Sequence, residues 1–195
     1  MNAVAKPVEE SKPVKLNLGS GPSKMDGFIS VDSIKFDKVG VVHDLRVAPW
    51  PFEDNSVSEA VSSHFLEHLT NLNDKWERVT FFNELWRVMV PDGKLLLILP
   101  HWCSNRYYGD PTHKEPFSEM AVYYLDPEWR AGNAPHTDIK WNPNGYKCHW
   151  TCGWDYTLHP EMNGRNAEYI QHAAKFWKEV CQDLIITMTA VKKKE

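Results

Sequence analysis

The run Lys15-Leu16-Asn17-Leu18-Gly19-Ser20-Gly21, followed by Phe28-Ile29-Ser30-Val31-Asp32, constrains the fold more than any other part of the chain. It reads as a buried strand, a glycine turn and a second strand that ends in a carboxylate. In an open parallel sheet, ligands sit outside the carboxyl ends of the strands, and glycine at the first turn lets backbone N–H groups approach a bound nucleotide. An acid at the tip of the next strand can accept both ribose hydroxyls. Only the six residues Pro22 to Gly27 separate the turn from Phe28. A crossover helix needs about a dozen residues, so the first helix is expected to be a single turn or missing.

Further strands follow in order. Val39 to Asp44 reads as a third strand ending in another acid, and Pro49-Trp50-Pro51-Phe52 forces an extended loop. Val57 to Ser63 is the fourth strand, with His64-Phe65-Leu66-Glu67-His68-Leu69 at its C-terminal end. Asn73 is placed to cap a helix whose apolar positions are Trp76, Val79, Phe82, Trp86 and Met89, with Lys75, Arg78, Glu84 and Arg87 facing solvent. Pro91-Asp92-Gly93 ends that helix, and Lys94 to Leu99 is apolar enough for a central fifth strand covered on both faces. From about residue 100 to 155 the alternation gives way to an aromatic stretch, expected as an insertion over the mouth of the site, with a short helix near Ser118 to Leu125. Tyr156 to His159 reads as a sixth strand. A helix carrying Ile170, Ala173, Ala174, Trp177 and Val180 precedes an alternating segment, Asp183 to Lys192, that closes the sheet. The expected organisation is a loose arm at 1–13 and one domain over 14–195.

Composition narrows the function. A net charge of −4 disfavours a protein built to grip a long phosphate backbone, and Lys192-Lys193-Lys194 reads as a solvated tail. The apolar run Leu95 to Leu99 is far too short to span a bilayer. Four cysteines, Cys103, Cys148, Cys152 and Cys181, come without a secretory signal and point to free thiols in a reducing cytoplasm. Cys148, His149 and Cys152 offer zinc donors that His101, Cys103 or His113 could join, but the spacing is no standard knuckle, and no metal is expected. Among nine tryptophans, Trp102, Trp141, Trp150 and Trp154 are expected mainly in the core, with an aromatic pocket as the alternative.

The ordered set Leu16-Asn17-Leu18-Gly19-Ser20-Gly21, Phe28 to Asp32, His43-Asp44-Leu45, Pro51 to Ser56, His64 to Leu69 and Glu84 to Gly93 resembles the class I S-adenosylmethionine-dependent methyltransferases, in particular the small type 11 branch. The resemblance covers roughly the first hundred residues, and the set is more specific than any member alone. Small methyltransferases with a segment like Gly109-Asp110-Pro111-Thr112-His113 are familiar from phage and bacteria. The resemblance implies a Rossmann-like α/β fold with a mostly parallel seven-stranded sheet and an antiparallel last strand. It implies S-adenosylmethionine as cofactor, with Asn17, Gly19, Ser20 and Gly21 around its methionine part. Asp32 would take the ribose hydroxyls, Asp44 and Leu45 the adenine, and the backbone of Ser63 and His64 would lie by the sulfonium. Pro22 and the short first helix depart from the family's longer glycine loop.

Methyl transfer needs the acceptor in line about 3 Å from the carbon, and for a protonated acceptor a histidine base; the candidates are His64, His101 and His113. The acceptor is expected to be an O, N or C atom of a small molecule or modified nucleotide, and the oligomeric state stays open. Two other readings are an inactive S-adenosylmethionine-binding or interaction module and a zinc-stabilised structural protein.

Overall fold

The computed structural model describes residues 12–137, 139 and 142–193. The expected arm lies almost wholly outside the described residues, as does Trp141. Seven strands form one sheet: β1 (Val14–Leu18), β2 (Ile29–Asp32), β3 (Val41–Val42), β4 (Val57–Ser63), β5 (Met89–Pro100), β6 (Trp150–Leu158) and β7 (Cys181–Ala190). Their spatial order is β3-β2-β1-β4-β5-β7-β6. The five N-terminal strands pair in parallel, and β7 runs antiparallel to both β5 and β6. This is the expected architecture.

The register sets the position of the site. Leu18 pairs with Val31 and Ser62, Asp32 with Val42, and Ser63 with Ile98. The strand tips therefore lie level, and Gly19, Asp32, His43-Asp44, His64 and Pro100 leave the sheet along one edge. Beneath that edge one sheet face packs Leu16, Leu18, Val31, Ala60, Leu95, Leu97, Leu99 and Ile186 against Phe81, Phe82 and Leu85 of helix α1 (Glu77–Val88). Burial of each of the Leu, Val, Ile and Phe side chains among them contributes about 1.5–3 kcal/mol relative to exposure. The short helices α2 (Asn105–Gly109), α3 (Glu119–Tyr123) and α4 (Pro127–Asn133) follow β5, and α5 (Ala167–Phe176) joins β6 to β7. No helix among the described residues is long and apolar enough to cross a membrane.

Several local expectations change. Between β1 and β4 the described residues hold no helix, so the first helix is missing, and the second sheet face stays open along Glu59-Val61, Lys94-Leu96, Thr151-Gly153 and Thr187-Thr189. Among the described residues the fifth strand is thus covered on one face only. Polar pairs suit the bare face to water: Lys15 Nζ lies 2.5 Å from a Glu59 carboxylate oxygen, and Lys94 Nζ donates to Thr189 Oγ1 at 2.8 Å. Helix α1 starts at Glu77, because Asn73, Asp74 and Trp76 adopt left-handed φ values of 54°, 58° and 51° and extend the preceding loop. Arg78, expected at the surface, is buried. β6 begins at Trp150, six residues before the expected start, and its side chains alternate between packed and exposed. The aromatic stretch divides accordingly. Residues around 106–113 reach the site, whereas Phe117, Val122 and Leu125 join the core under α1 and Tyr123 stacks on Trp129 at 5.2 Å. Trp150 is fully buried and Trp102 half-exposed. Lys192 is no solvated tail: its Nζ donates to Asn55 Oδ1, Arg87 O and Met89 O at 2.7, 2.9 and 2.7 Å.

Candidate active site

The turn after β1 is held by its own backbone and by one acid. Gly19 and Ser20 N–H donate to the Val31 carbonyl at 2.9 and 3.2 Å. Gly19 and Gly21 have φ of +63° and +53°, a region in which a Cβ is strained, and a Cβ on Gly19 would overlap the Phe65 ring. Asp32, at the tip of β2, accepts from Gly21 N–H at 2.8 Å through Oδ2 and from Ile34 N–H at 2.9 Å through Oδ1. A carboxylate has about four acceptor positions, so each oxygen retains capacity toward the cavity.

Beyond β3, Asp44 forms a bidentate pair with Arg46: Nε donates to Oδ1 and Nη2 to Oδ2, both at 2.8 Å. The Arg46 hydrogen bonds hold the Asp44 carboxyl below its ordinary value, and Asp44 stays ionised at neutral pH. Leu45, 2% exposed, anchors this loop through its carbonyl, which accepts from Trp50 Nε1 at 3.2 Å. At the tip of β4, His64 takes a left-handed φ of 53°, and its N–H donates to the Ile98 carbonyl at 2.7 Å. The neighbouring Glu67 carboxylate, 3.5 Å from His64 Nδ1, raises the imidazole above its ordinary pKa.

These tips enclose a cavity of about 350 Å³, lined by Gly19, Gly21, Asp32, Asp44, Leu45 and His64 together with Ile34, Arg46, Phe65 and His68. A second cavity of about 680 Å³ adjoins it, between the loop after β4 and the segment after β5: His64, Glu67, His68, Arg106, Asp110 and His113 line its walls. His64 and His68 border both. The second cavity is shaped by α2, whose N-cap Ser104 Oγ accepts from Arg106 N–H at 3.1 Å and starts the helix directly behind β5.

Residues 26–97 match the family model described as a methyltransferase domain, a stretch that runs from just before β2 into β5 and carries Asp32, Asp44 and His64. Over that stretch the chain is similar to a methyltransferase domain. Solved structures repeat the fold over nearly the whole chain. A S-adenosylmethionine-dependent methyltransferase from Archaeoglobus fulgidus is 17% identical with a TM-score of 0.57, covering 91% of this chain and 86% of its own. A Haloferax volcanii putative methyltransferase complex with the Trm112 activator is 14% identical with a TM-score of 0.51, covering 97% and 86%. The 1,6-didemethyltoxoflavin-N1-methyltransferase of Burkholderia thailandensis, solved with its substrate and S-adenosylhomocysteine, is 12% identical with a TM-score of 0.54, covering 93% and 72%. At these identities the likeness is one of fold. A search of curated proteins finds no match.

Six of the residues singled out in the sequence, Gly19, Gly21, Asp32, Asp44, Leu45 and His64, share one cavity. Asn17 and Ser20 are buried in and behind the glycine turn, and Ser63 is exposed at the end of β4; none of the three lines that cavity. His113 lines the second cavity. His101 lines neither: it is 2% exposed, with Nδ1 3.0 Å from Cys103 Sγ and Nε2 2.9 Å from Glu119 Oε1. Sequence reasoning missed Ile34, Arg46 and Arg106 as lining residues. Arg46 was within reach of it, since an arginine two residues after a strand-tip acid is placed to pair with it.

Proposed function

We propose that the chain is a methyltransferase that holds S-adenosylmethionine in the cavity at the tips of β1 to β4 and methylates an O, N or C atom of a small molecule or nucleotide seated in the adjoining cavity. The observation that carries the reading is the placement of Asp32 and Asp44, on successive strand tips, in one cavity with Gly19, Gly21 and Leu45. The donor set fits the cofactor: two carboxylates for ribose and adenine, an apolar side chain for the ring, and a negative surround for a sulfonium cation. When bound, the cofactor supplies an electrophilic methyl carbon.

The chain's own residues do the rest. Asp32 accepts from the ribose hydroxyls with the lone pairs left free by Gly21 and Ile34 N–H. Arg46 fixes Asp44 in its ionised form and in one rotamer, ready to accept from the adenine amino group. His64, which touches both cavities, presents its backbone to the sulfonium and is the base for a protonated acceptor. Positioning is the main catalytic device, because a well-oriented pair gains most of its rate from prepaid entropy. The acidic chain and a cavity of this size favour a compact acceptor over a long nucleic acid.

Calorimetric titration with S-adenosylhomocysteine tests the reading. Micromolar binding, about 8 kcal/mol, is expected. Asp32→Ala removes two charge-assisted hydrogen bonds of about 1.5–3 kcal/mol each and is expected to weaken binding roughly a hundredfold or more. Native affinity in a folded Asp32→Ala variant, or no binding by the native chain, contradicts it.

A further inference from the structure

We propose that Glu67, His68 and His113 bind one divalent transition-metal ion of the zinc class in the wall between the two cavities. One donor atom from each of the three residues lies within 4.8 Å of the others. The carboxylate is the telling member. Its side chain is 1% exposed, and among the described residues neither oxygen has a hydrogen-bond partner. The nearest nitrogens, His64 Nδ1 at 3.5 Å and His113 Nε2 at 3.9 Å from Oε1, stand outside hydrogen-bonding geometry. A desolvated carboxylate without donors is costly, and a cation held between it and the two imidazoles supplies what is missing.

The imidazoles are oriented for this. His113 Nδ1 lies 2.6 Å from the Tyr107 carbonyl, and His68 Nδ1 lies 3.3 Å from the Thr112 carbonyl. Each ring therefore donates N–H to the backbone and keeps the Nε2 lone pair free, the arrangement that fixes the tautomer of metal-bound histidines. Two clamps hold the loops that carry the ligands together. Lys114 N–H donates to the Glu67 carbonyl at 2.9 Å, and the buried Arg78 donates to the carbonyls of Leu69, Glu115 and Pro116. The exposed Asp110 Oδ2, 3.8 Å from His113 Nε2, stands by as a further oxygen.

Two histidines and one carboxylate are a three-ligand set that leaves coordination positions open, as catalytic zinc sites do. The open side faces the cavity that also holds His64 and Arg106. This last part rests on the function proposed above: an acceptor with a hydroxyl or another proton-bearing heteroatom coordinates there, which fixes its orientation beside the cofactor cavity and favours its ionised form.

The test uses the full chain stripped with a chelator and titrated with Zn²⁺ and with Co²⁺. One equivalent is expected to bind, the cobalt form showing ligand-field bands and no thiolate charge-transfer band. Glu67→Gln and His113→Ala are expected to weaken binding at least tenfold, and Cys148→Ser to leave it unchanged. No binding of either ion by the native chain overturns the proposal, as does a site with a thiolate band that survives in both ligand variants. Should both variants fail to fold, anomalous scattering from zinc-soaked crystals of the native chain decides: a peak among Glu67, His68 and His113 supports the site, and zinc elsewhere or nowhere overturns it. S-adenosylhomocysteine affinity, measured on the same metal-free protein, reports separately on the cofactor cavity.

Discussion

Replacing Arg78 by Met is the substitution that most sharply tests how the site loops are held. Arg78 is 5% exposed, and its guanidinium donates to three backbone carbonyls: Leu69 at 3.0 Å, Pro116 at 3.0 Å, and Glu115. It thereby ties the loop after β4 to the irregular segment 114–117. Met keeps most of the apolar volume against Phe117 but leaves three inward carbonyls without donors. Each unsatisfied buried acceptor costs about 1–3 kcal/mol, and partial access of water brings the sum to about 3–5 kcal/mol, the usual cost of breaking a buried ionic cluster. In a domain of this size that lowers Tm by roughly 10 °C. Urea unfolding followed by tryptophan fluorescence reads the change directly: the midpoint is expected to fall while the slope stays constant. A loss below about 1 kcal/mol would refute the claim that Arg78 clasps these loops.

Two further outcomes follow from single contacts. Burial alone would push the Glu119 carboxyl up, but hydrogen bonds from His101 and from Tyr156 Oη, at 2.9 and 2.7 Å, outweigh it and hold the group at about 2, against 4.5 for the free side chain. A folded-state pKa below the unfolded value stabilises the fold above pH 4.5 and loses that contribution as pH falls toward 2, here about 1–2 kcal/mol once solvent screening of a half-buried group is allowed for. Acid unfolding of Glu119→Gln should lack that component, and a profile identical to the native one would sink the assignment. Gly19→Ala should destabilise by about 2–3 kcal/mol through its positive φ and its collision with Phe65, and Phe65→Ala in the same background should recover part of the loss. Independent, additive effects in that double-mutant cycle would contradict the packing argument.

The sheet was legible because its signals are local. Leu16 to Asp32 carries a strand, a turn and a strand-tip acid in one short span, and the lack of room between Gly21 and Phe28 already excluded a full crossover helix. Asp32, Asp44 and His64 could be placed at one edge because parallel strands put their C-terminal tips there whatever covers the faces. Arg78 could not be read in this way. Its place on α1 suits a solvated charge, and only carbonyls from residues 69, 115 and 116, brought in by tertiary structure, explain its burial. The same holds for Glu67, which reads as a loop acid until His68, His113 and the absence of donors around it among the described residues are seen together. The early start of β6 at Trp150 was hidden by aromatic residues whose alternation becomes visible only against β7. His101 looked catalytic from its position after the central strand, yet its buried bonds to Cys103 and Glu119 lie off both cavities.

A crystal structure of the chain with S-adenosylhomocysteine bound tests the central claim most directly. The account predicts the ribose on the Asp32 carboxylate, the adenine against Leu45 with its amino group toward Asp44, and the sulfur beside His64, facing the cavity of Glu67 and His113. Adenosine bound away from the tips of β2 and β3, or a sulfur directed away from His64, would contradict it.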